Sequence, residues 1–316
     1  PLREALANYY LEQYNLEIDS SRIFVTPGAS GGLNLLANLL IDPGDGVLMA
    51  DPAYPCNRNF IRMAGGEPQL VAVEPQTAFQ PTPDQLEKSR TESSTGLWLA
   101  SPSNPTGTII DREHLRLILD WAEGQGRKLH VLMDEIYHGL HYVDDLPSLL
   151  EMTDRGYVVN SFSKYFGMTG WRIGWIVVPE DSIEHVNTLA QNLFISASTI
   201  AQHAALAAFS AETRAICEER RDAFRQRRDF LAGALQEIGF IIPHSTDGAF
   251  YLYADISNFS DNSEEFCQRI LEDHKVAITP GADFGDHNAG QYVRIAFTTS
   301  MENLELGVER LARALL

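Results

Sequence analysis

Seven short apolar runs recur before residue 180, and helical periodicity fills most of the intervals between them. The runs are Arg22–Thr26, Gly46–Ala50, Gln69–Val73, Gly96–Ser101, Leu129–Asp134, Gly156–Ser161 and Arg172–Val178. Short continuous apolar runs read as strands buried on both faces. Ser30–Leu40, Tyr54–Ala64 and Arg112–Glu123 carry helical spacing between them. A strand, a helix and a second strand form a βαβ unit, whose crossover goes with parallel pairing. The expected fold is therefore α/β: a seven-stranded, mostly parallel sheet with helices on both faces.

The rhythm changes after Pro179. Two helical stretches follow, Ile183–Leu193 and Ala201–Ile238, the second long and rich in Arg and Glu. A long charged helix suits a bridge between two domains. Beyond it, Phe250–Asp255 and Tyr292–Phe297 read as strands and Asn262–Asp273 as a helix. This predicts a smaller α+β C-terminal domain, with residues 1–216 forming the large domain and 217–316 the small one. No internal repeat interrupts the pattern.

Charge narrows the function classes. With 24 basic and 43 acidic side chains, the formal charge is −19. A nucleic-acid binder that tracks the backbone would carry the opposite sign, and an acidic membrane surface would repel this chain. No apolar run reaches membrane-spanning length. Cys56, Cys217 and Cys267 are an odd number at wide spacing, which fits free thiols in the cytoplasm. The nine histidines form no close metal-ligand pattern, so no metal is expected. Pro1–Tyr10 reads as an amphipathic helix, not a signal peptide. Because the chain opens without Met, a processed, truncated or partly ordered species is expected.

Ligands of open α/β sheets bind beyond the carboxyl ends of the strands. Here Pro27-Gly28-Ala29-Ser30-Gly31-Gly32 follows the first strand and opens a helix, a start that suits a phosphate. Asp51-Pro52-Ala53-Tyr54-Pro55 follows the second, and Tyr54 offers a flat ring for stacking. Ser101-Pro102-Ser103-Asn104-Pro105-Thr106-Gly107 makes a rigid turn that fixes the Asn104 amide. The fifth run ends in Asp134-Glu135-Ile136-Tyr137, where a carboxylate after an apolar strand calls for a partner such as a cationic ring nitrogen. The sixth ends in Ser161-Phe162-Ser163-Lys164, two hydroxyls and an amine. Turn chemistry or core filling accounts for several of these clusters singly. Grouped at one sheet edge, each suits one part of a single ligand. Arg172 joins them only if the strand after it runs antiparallel to the rest.

These residues resemble the class I/II aminotransferases, enzymes of fold type I that depend on pyridoxal 5′-phosphate. The carrying motifs are Ser101–Gly107, Asp134-Glu135-Ile136-Tyr137, and Ser161-Phe162-Ser163-Lys164 running on to Gly170-Trp171-Arg172. The likeness extends to Gly281-Ala282-Asp283-Phe284-Gly285 and to Tyr292–Phe297. It implies that Lys164 forms a Schiff base with the cofactor and that Asp134 partners the ring nitrogen. Asn104 and Tyr137 would bond the ring's phenolate oxygen, and Tyr54 would stack on the ring. Gly28, Ala29, Ser30, Ser161, Ser163 and Arg172 would hold the phosphate. Arg294 would grip the substrate α-carboxylate, beside Asn104. Family members also carry a segment ahead of the position where this chain starts.

The reaction implied is amino transfer from an amino acid to a 2-oxo acid in ping-pong order, with Lys164 moving the proton. A C–S β-lyase on the same scaffold, or a non-catalytic or truncated relative, is the alternative. The resemblance also implies a homodimer; the apolar, small-residue stretch Ile195–Ala201 reads equally as part of its interface or as a plain helix entry. The amino donor and acceptor stay open, because no second arginine is assigned to a side-chain carboxylate. Cys56 lies two residues past Tyr54, close enough in sequence to approach the site.

Overall fold

The computed structural model describes residues 1–125 and 129–316. The helices are α1 (Leu2–Tyr14), α2 (Gly28–Leu40), α3 (Pro55–Met63), α4 (Pro83–Ser89), α5 (Arg112–Glu123), α6 (Ile183–Leu193), α7 (Thr199–Ala207), α8 (Ala211–Ile238), α9 (Ser263–His274) and α10 (Met301–Leu315). The strands are β1 (Ile23–Thr26), β2 (Gly46–Asp51), β3 (Glu67–Ala72), β4 (Ser94–Ala100), β5 (His130–Asp134), β6 (Tyr157–Ser161), β7 (Gly174–Val177), β8 (Tyr251–Asp255), β9 (Thr279–Pro280) and β10 (Tyr292–Ala296).

The first seven strands form one sheet in the order β1-β7-β6-β5-β4-β2-β3. β2, β3, β4, β5 and β6 pair in parallel, while β7 runs antiparallel to both β1 and β6. This is the expected α/β architecture, including the one reversed strand. Alternate residues of each strand feed two cores. Leu97, Leu99, Val131 and Met133 face a core that includes residues of α1, α5 and α7. Trp98, Leu132, Val159 and Ile176 face the other, shared with α2. Each fully buried Leu or Ile stabilises the fold by roughly 1.5–3 kcal/mol, so both faces must be covered.

A second sheet of order β8-β10-β9 is entirely antiparallel. Its own core draws on Leu231 and Leu235 of α8, Phe266 and Ile270 of α9, and Leu304 and Leu311 of α10. Near its other end, α8 places Cys217 in the core of the large sheet. One helix thus crosses from one core to the other.

Three expectations need correction. The stretch Ala201–Ile238 is two helices. Ser210 caps α8, accepting from the Thr213 N–H at 3.2 Å, which breaks the run before Ala211. The strand expected over Arg172–Val178 begins at Gly174, because Arg172 is left-handed at φ 50° and closes the 3₁₀ turn Thr169–Trp171. The helix read over Pro1–Tyr10 continues to Tyr14 and ends on left-handed Asn15. β9 and the helices α4 and α10 were not anticipated. A two-residue strand carries no periodic signal.

A buried polar net stiffens the segment that follows β5. Glu135 accepts from the Ser148 hydroxyl at 2.9 Å and from the Leu149 N–H at 2.8 Å. His138 lies 3.1 Å through Nε2 from the Ser101 carbonyl and 2.7 Å through Nδ1 from the Tyr14 hydroxyl. Nε2 must carry the hydrogen, because a carbonyl only accepts. Burial pushes the Glu135 carboxyl up to about 8, against the opposing effect of its hydrogen bonds. The folded state therefore favours the protonated acid more than the unfolded state does. That contribution is complete below the ordinary value of 4.5 and is lost as pH rises through about 8. Glu135→Gln removes the ionisation while keeping an acceptor. Urea midpoints measured at pH 6 and pH 9 should fall less on the alkaline side for this variant than for the parent.

Candidate active site

The parallel strands carry their carboxyl ends to one edge, and the polar clusters gather there. β5 ends in Asp134, which is buried. Its Oδ1 accepts from the Ile136 N–H at 3.0 Å. Burial drives its carboxyl up to about 6, against the pull of that N–H and of the Lys164 cation. The same cause acts on Lys164 with the opposite sign. Burial lowers its ammonium below the usual range; Asp134 opposes this, and Arg294 and Arg172 add to it. Lys164 Nζ lies 5.5 Å from the centre of the Tyr137 ring and 5.4 Å from that of Phe250. Aromatic faces at this range attract an ammonium.

β6 ends in Ser161, whose hydroxyl donates to Ser163 Oγ at 3.0 Å. Reversal of β7 sets Gly174 opposite both Ser161 and Thr26. Arg172, two residues earlier, therefore reaches the edge where α2 begins. A Cβ on Gly28 would lie 2.5 Å from Arg172 Nη2, so the guanidinium rests against this glycine. Gly28 also takes φ +73°, which favours glycine. The start of α2 carries no side-chain cap. An uncapped helix start beside a guanidinium and two serines is an anion cradle in chemical terms.

A cavity of about 300 Å³ opens next to it, lined by Ala29, Ser30, Tyr54, Asn104, Asp134, Tyr137, Lys164 and Arg294, among others. Of the residues singled out from sequence, those eight share the cavity wall. Gly28, Ser161, Ser163 and Arg172 stand outside that wall. Tyr54 caps no backbone group at the start of α3. Burial raises its phenol, with contact from the Cys56 thiol as the next cause. Tyr137 is raised well above its ordinary range, first by burial and then by Tyr251, whose hydroxyl lies 3.2 Å away.

Arg294 comes from β10 of the small sheet. Its Nη1 donates to Asn104 Oδ1 at 2.9 Å, and its Nη2 lies 3.4 Å from Thr279 Oγ1. The guanidinium sits between two rings, 4.2 Å from the centre of Tyr251 and 4.6 Å from that of Phe284. Among the described residues, its buried Nε has no hydrogen-bond partner. Tyr251 and Phe284 are site residues that the sequence reading did not single out. Tyr251 lay in an expected strand, but strand pattern alone does not say which aromatic faces a cavity. Phe284 lay in a quoted motif with no role attached.

A seven-stranded sheet of this order, with a lysine, a buried carboxylate and an anion cradle at its edge, defines a transferase of the aminotransferase type. The family model for aminotransferase class I and II matches residues 1–311. Valine–pyruvate aminotransferase of Mycobacterium tuberculosis is 38% identical over 312 residues, covering 98% of this chain and 80% of that protein. Aspartate aminotransferase of Streptomyces avermitilis is 35% identical over 99% of this chain and 79% of its own length. The crystal structure of an aminotransferase from Mycobacterium tuberculosis superposes with a TM-score of 0.94 at 37% identity, covering 99% of this chain and 81% of that one. The chain belongs to the class I and II aminotransferase family.

Gly174 holds this edge together by having no side chain. A Cβ there would meet Asn160 O at 2.7 Å and Ala29 N at 2.9 Å, both backbone atoms. Gly174→Ala should lower the unfolding free energy by about 1–3 kcal/mol, as overpacking does, read from urea denaturation. Gly170→Ala, whose Cβ meets nothing within 4 Å, is the control and should stay within about 0.5 kcal/mol of the parent.

Proposed function

We propose that this aminotransferase holds pyridoxal 5′-phosphate in the 300 Å³ cavity and moves an amino group from an amino acid to a 2-oxo acid in ping-pong order. The observation that carries this reading is one cavity wall shared by Lys164, Asp134 and Arg294. The residues present fit the cofactor. Asp134 is a buried carboxylate raised by desolvation, which a cationic ring nitrogen would relieve. The uncapped start of α2, with Gly28, Ala29, Ser30, Ser161, Ser163 and Arg172, suits its phosphate. Tyr54 offers a face for the ring. Asn104 and Tyr137 offer polar atoms for its phenolic oxygen. Lys164 would anchor it covalently.

When bound, the cofactor supplies an electron sink for the substrate α-carbon. The chain supplies the rest. Arg294 binds the substrate carboxylate as a fork, and its unpartnered Nε is the N–H such a fork would satisfy. The Asn104 oxygen already holds Nη1 and so orients the guanidinium. Asp134 keeps a proton on the ring nitrogen. Lys164, lowered by burial, has more of its neutral amine available near neutral pH and moves the α-proton through Nζ.

Three further parts belong to the same proposal. The chain divides into units 1–216 and 217–316, supported by the separate core behind the small sheet, with Cys217 at the boundary still packed in the large-sheet core. It works as a homodimer, supported by Ile195 and Ile200, which are 84% and 75% exposed within the stretch Ile195–Ala201. It acts in the cytoplasm, supported by free Cys56, Cys217 and Cys267. Among the described residues no helix is long and apolar enough to cross a membrane.

A donor scan tests the reaction. Single amino acids added to the holoenzyme should convert its visible absorption to the pyridoxamine form without releasing ammonia. Ammonia release with no 2-oxo acid present would indicate a lyase instead. Lys164→Ala should abolish covalent fixation of the cofactor by borohydride, read by mass spectrometry. Fixation at a different lysine would overturn the assignment of Lys164.

A further inference from the structure

Arg294 has two aromatic walls, and they are held in different ways. Tyr251 lies on β8, which pairs with β10 along its length, and Tyr251 itself is opposite Ala296. That wall is built by the strand pair carrying Arg294. Phe284 is tied to that pair less directly: β9 sets Thr279 opposite Arg294 but ends at Pro280, four residues before the ring. It follows the 3₁₀ turn Gly281–Asp283 and belongs to no strand.

Past β9, the Phe284 segment is also tied to the end of β2. Asp51 is buried there. Its carboxylate accepts from the Asp286 N–H at 3.0 Å and 3.2 Å, through both oxygens, and from the His287 N–H at 3.1 Å. The Ala53 N–H donates to the Phe284 carbonyl at 3.0 Å. Gly285 lies so close that a Cβ on it would overlap Asp51 Oδ1. A second tie, His287 Nε2 to Glu74 Oε1 at 2.6 Å, joins side chains that are partly exposed. Exposed pairs contribute little, whereas charge-assisted bonds to a buried carboxylate are strong. Asp51 is therefore the principal bond between this loop and the large sheet.

We propose that Asp51 is a positioning residue for Arg294, acting through Phe284. It fixes the carboxylate grip, borne on the small sheet, at a set distance from the edge of the large sheet that carries Lys164 and Asp134. The proposal rests on the reading that Arg294 binds the substrate carboxylate, and it adds the group that sets the geometry of that grip. Asp51 is not part of the cavity wall that Lys164, Asp134 and Arg294 share, so its effect must be read in carboxylate binding.

The probe is butanoate, a carboxylate with no amine to react, titrated calorimetrically into the holoenzyme. Asp51→Asn removes a negative charge, so a simple field effect would tighten binding of an anion. Positioning predicts the opposite: the Kd should rise about tenfold, the scale of losing one hydrogen bond to a charged group. KM for amino acid and 2-oxo acid should rise similarly, with kcat within roughly threefold. In an Arg294→Lys background, Asp51→Asn should change the butanoate Kd by less than about twofold, because residues acting through one contact are not additive.

Gly285→Ala pushes the loop off the same carboxylate and should weaken butanoate likewise. It decides the matter if Asp51→Asn does not fold. Unchanged or tighter butanoate binding in the folded variant sinks the proposal, as does an undiminished effect in the Arg294→Lys background. If Arg294→Lys alone leaves butanoate affinity unchanged, the carboxylate role of Arg294 itself fails, and the proposal with it. The single variants therefore separate the two failures.

Discussion

Parallel pairing carries the carboxyl ends of β2, β4, β5 and β6 to one edge of the sheet, and everything chemical in this chain depends on that. A strand end is where the backbone leaves the ladder and side chains can converge. The reversal of β7 extends the logic. Its start, not its end, meets this edge, so a residue preceding the strand can join residues that follow the others. Arg172 reaches the start of α2 for this reason. Gly28 permits the approach by leaving no Cβ in its path, and Gly174 lets the start of β7 lie against the backbone of Asn160 and Ala29.

Burial then gives the gathered groups their character. Asp134 and Lys164 share a cavity wall, and desolvation pushes each toward its neutral form. Each is also the other's partial remedy, since opposite charges in a low-dielectric space stabilise one another. Deeper down, Glu135 and His138 are locked into hydrogen bonds with Ser148, Leu149, Tyr14 and Ser101. That net fixes the backbone from which Asp134 and Tyr137 project. In the proposed mechanism the buried net is scaffolding, and the half-open cavity above it is where charge is exchanged.

Much of the large sheet was legible because buried strands are short, apolar and evenly separated by helical spacing. The antiparallel β7 followed from asking where Arg172 had to lie. Other parts were not legible. Thr279–Pro280 is too short to show a period, and the break at Ser210 hides inside a continuous helical pattern. In the site, the motifs carried Lys164, Asp134, Asn104 and Arg294. Tyr251 was silent because alternation tells which residues share a face, not which cavity that face meets. Asp51 was quoted only as part of a turn, since its partners lie 235 and 236 residues further along the chain.

By itself the sequence determined the layered fold and marked out the polar clusters at the strand ends, the amine of Lys164 and the carboxylate of Asp134 among them. Those are properties of local pattern: periodicity, turn chemistry and the cost of an unpaired charge. Only the tertiary structure decided how the small sheet meets the large one, and therefore that Arg294 lies between Tyr251 and Phe284 against Asn104. The physical reason is range. A hydrogen bond or ring contact acts over a few ångströms, and no local pattern encodes which distant backbone amides will come that close.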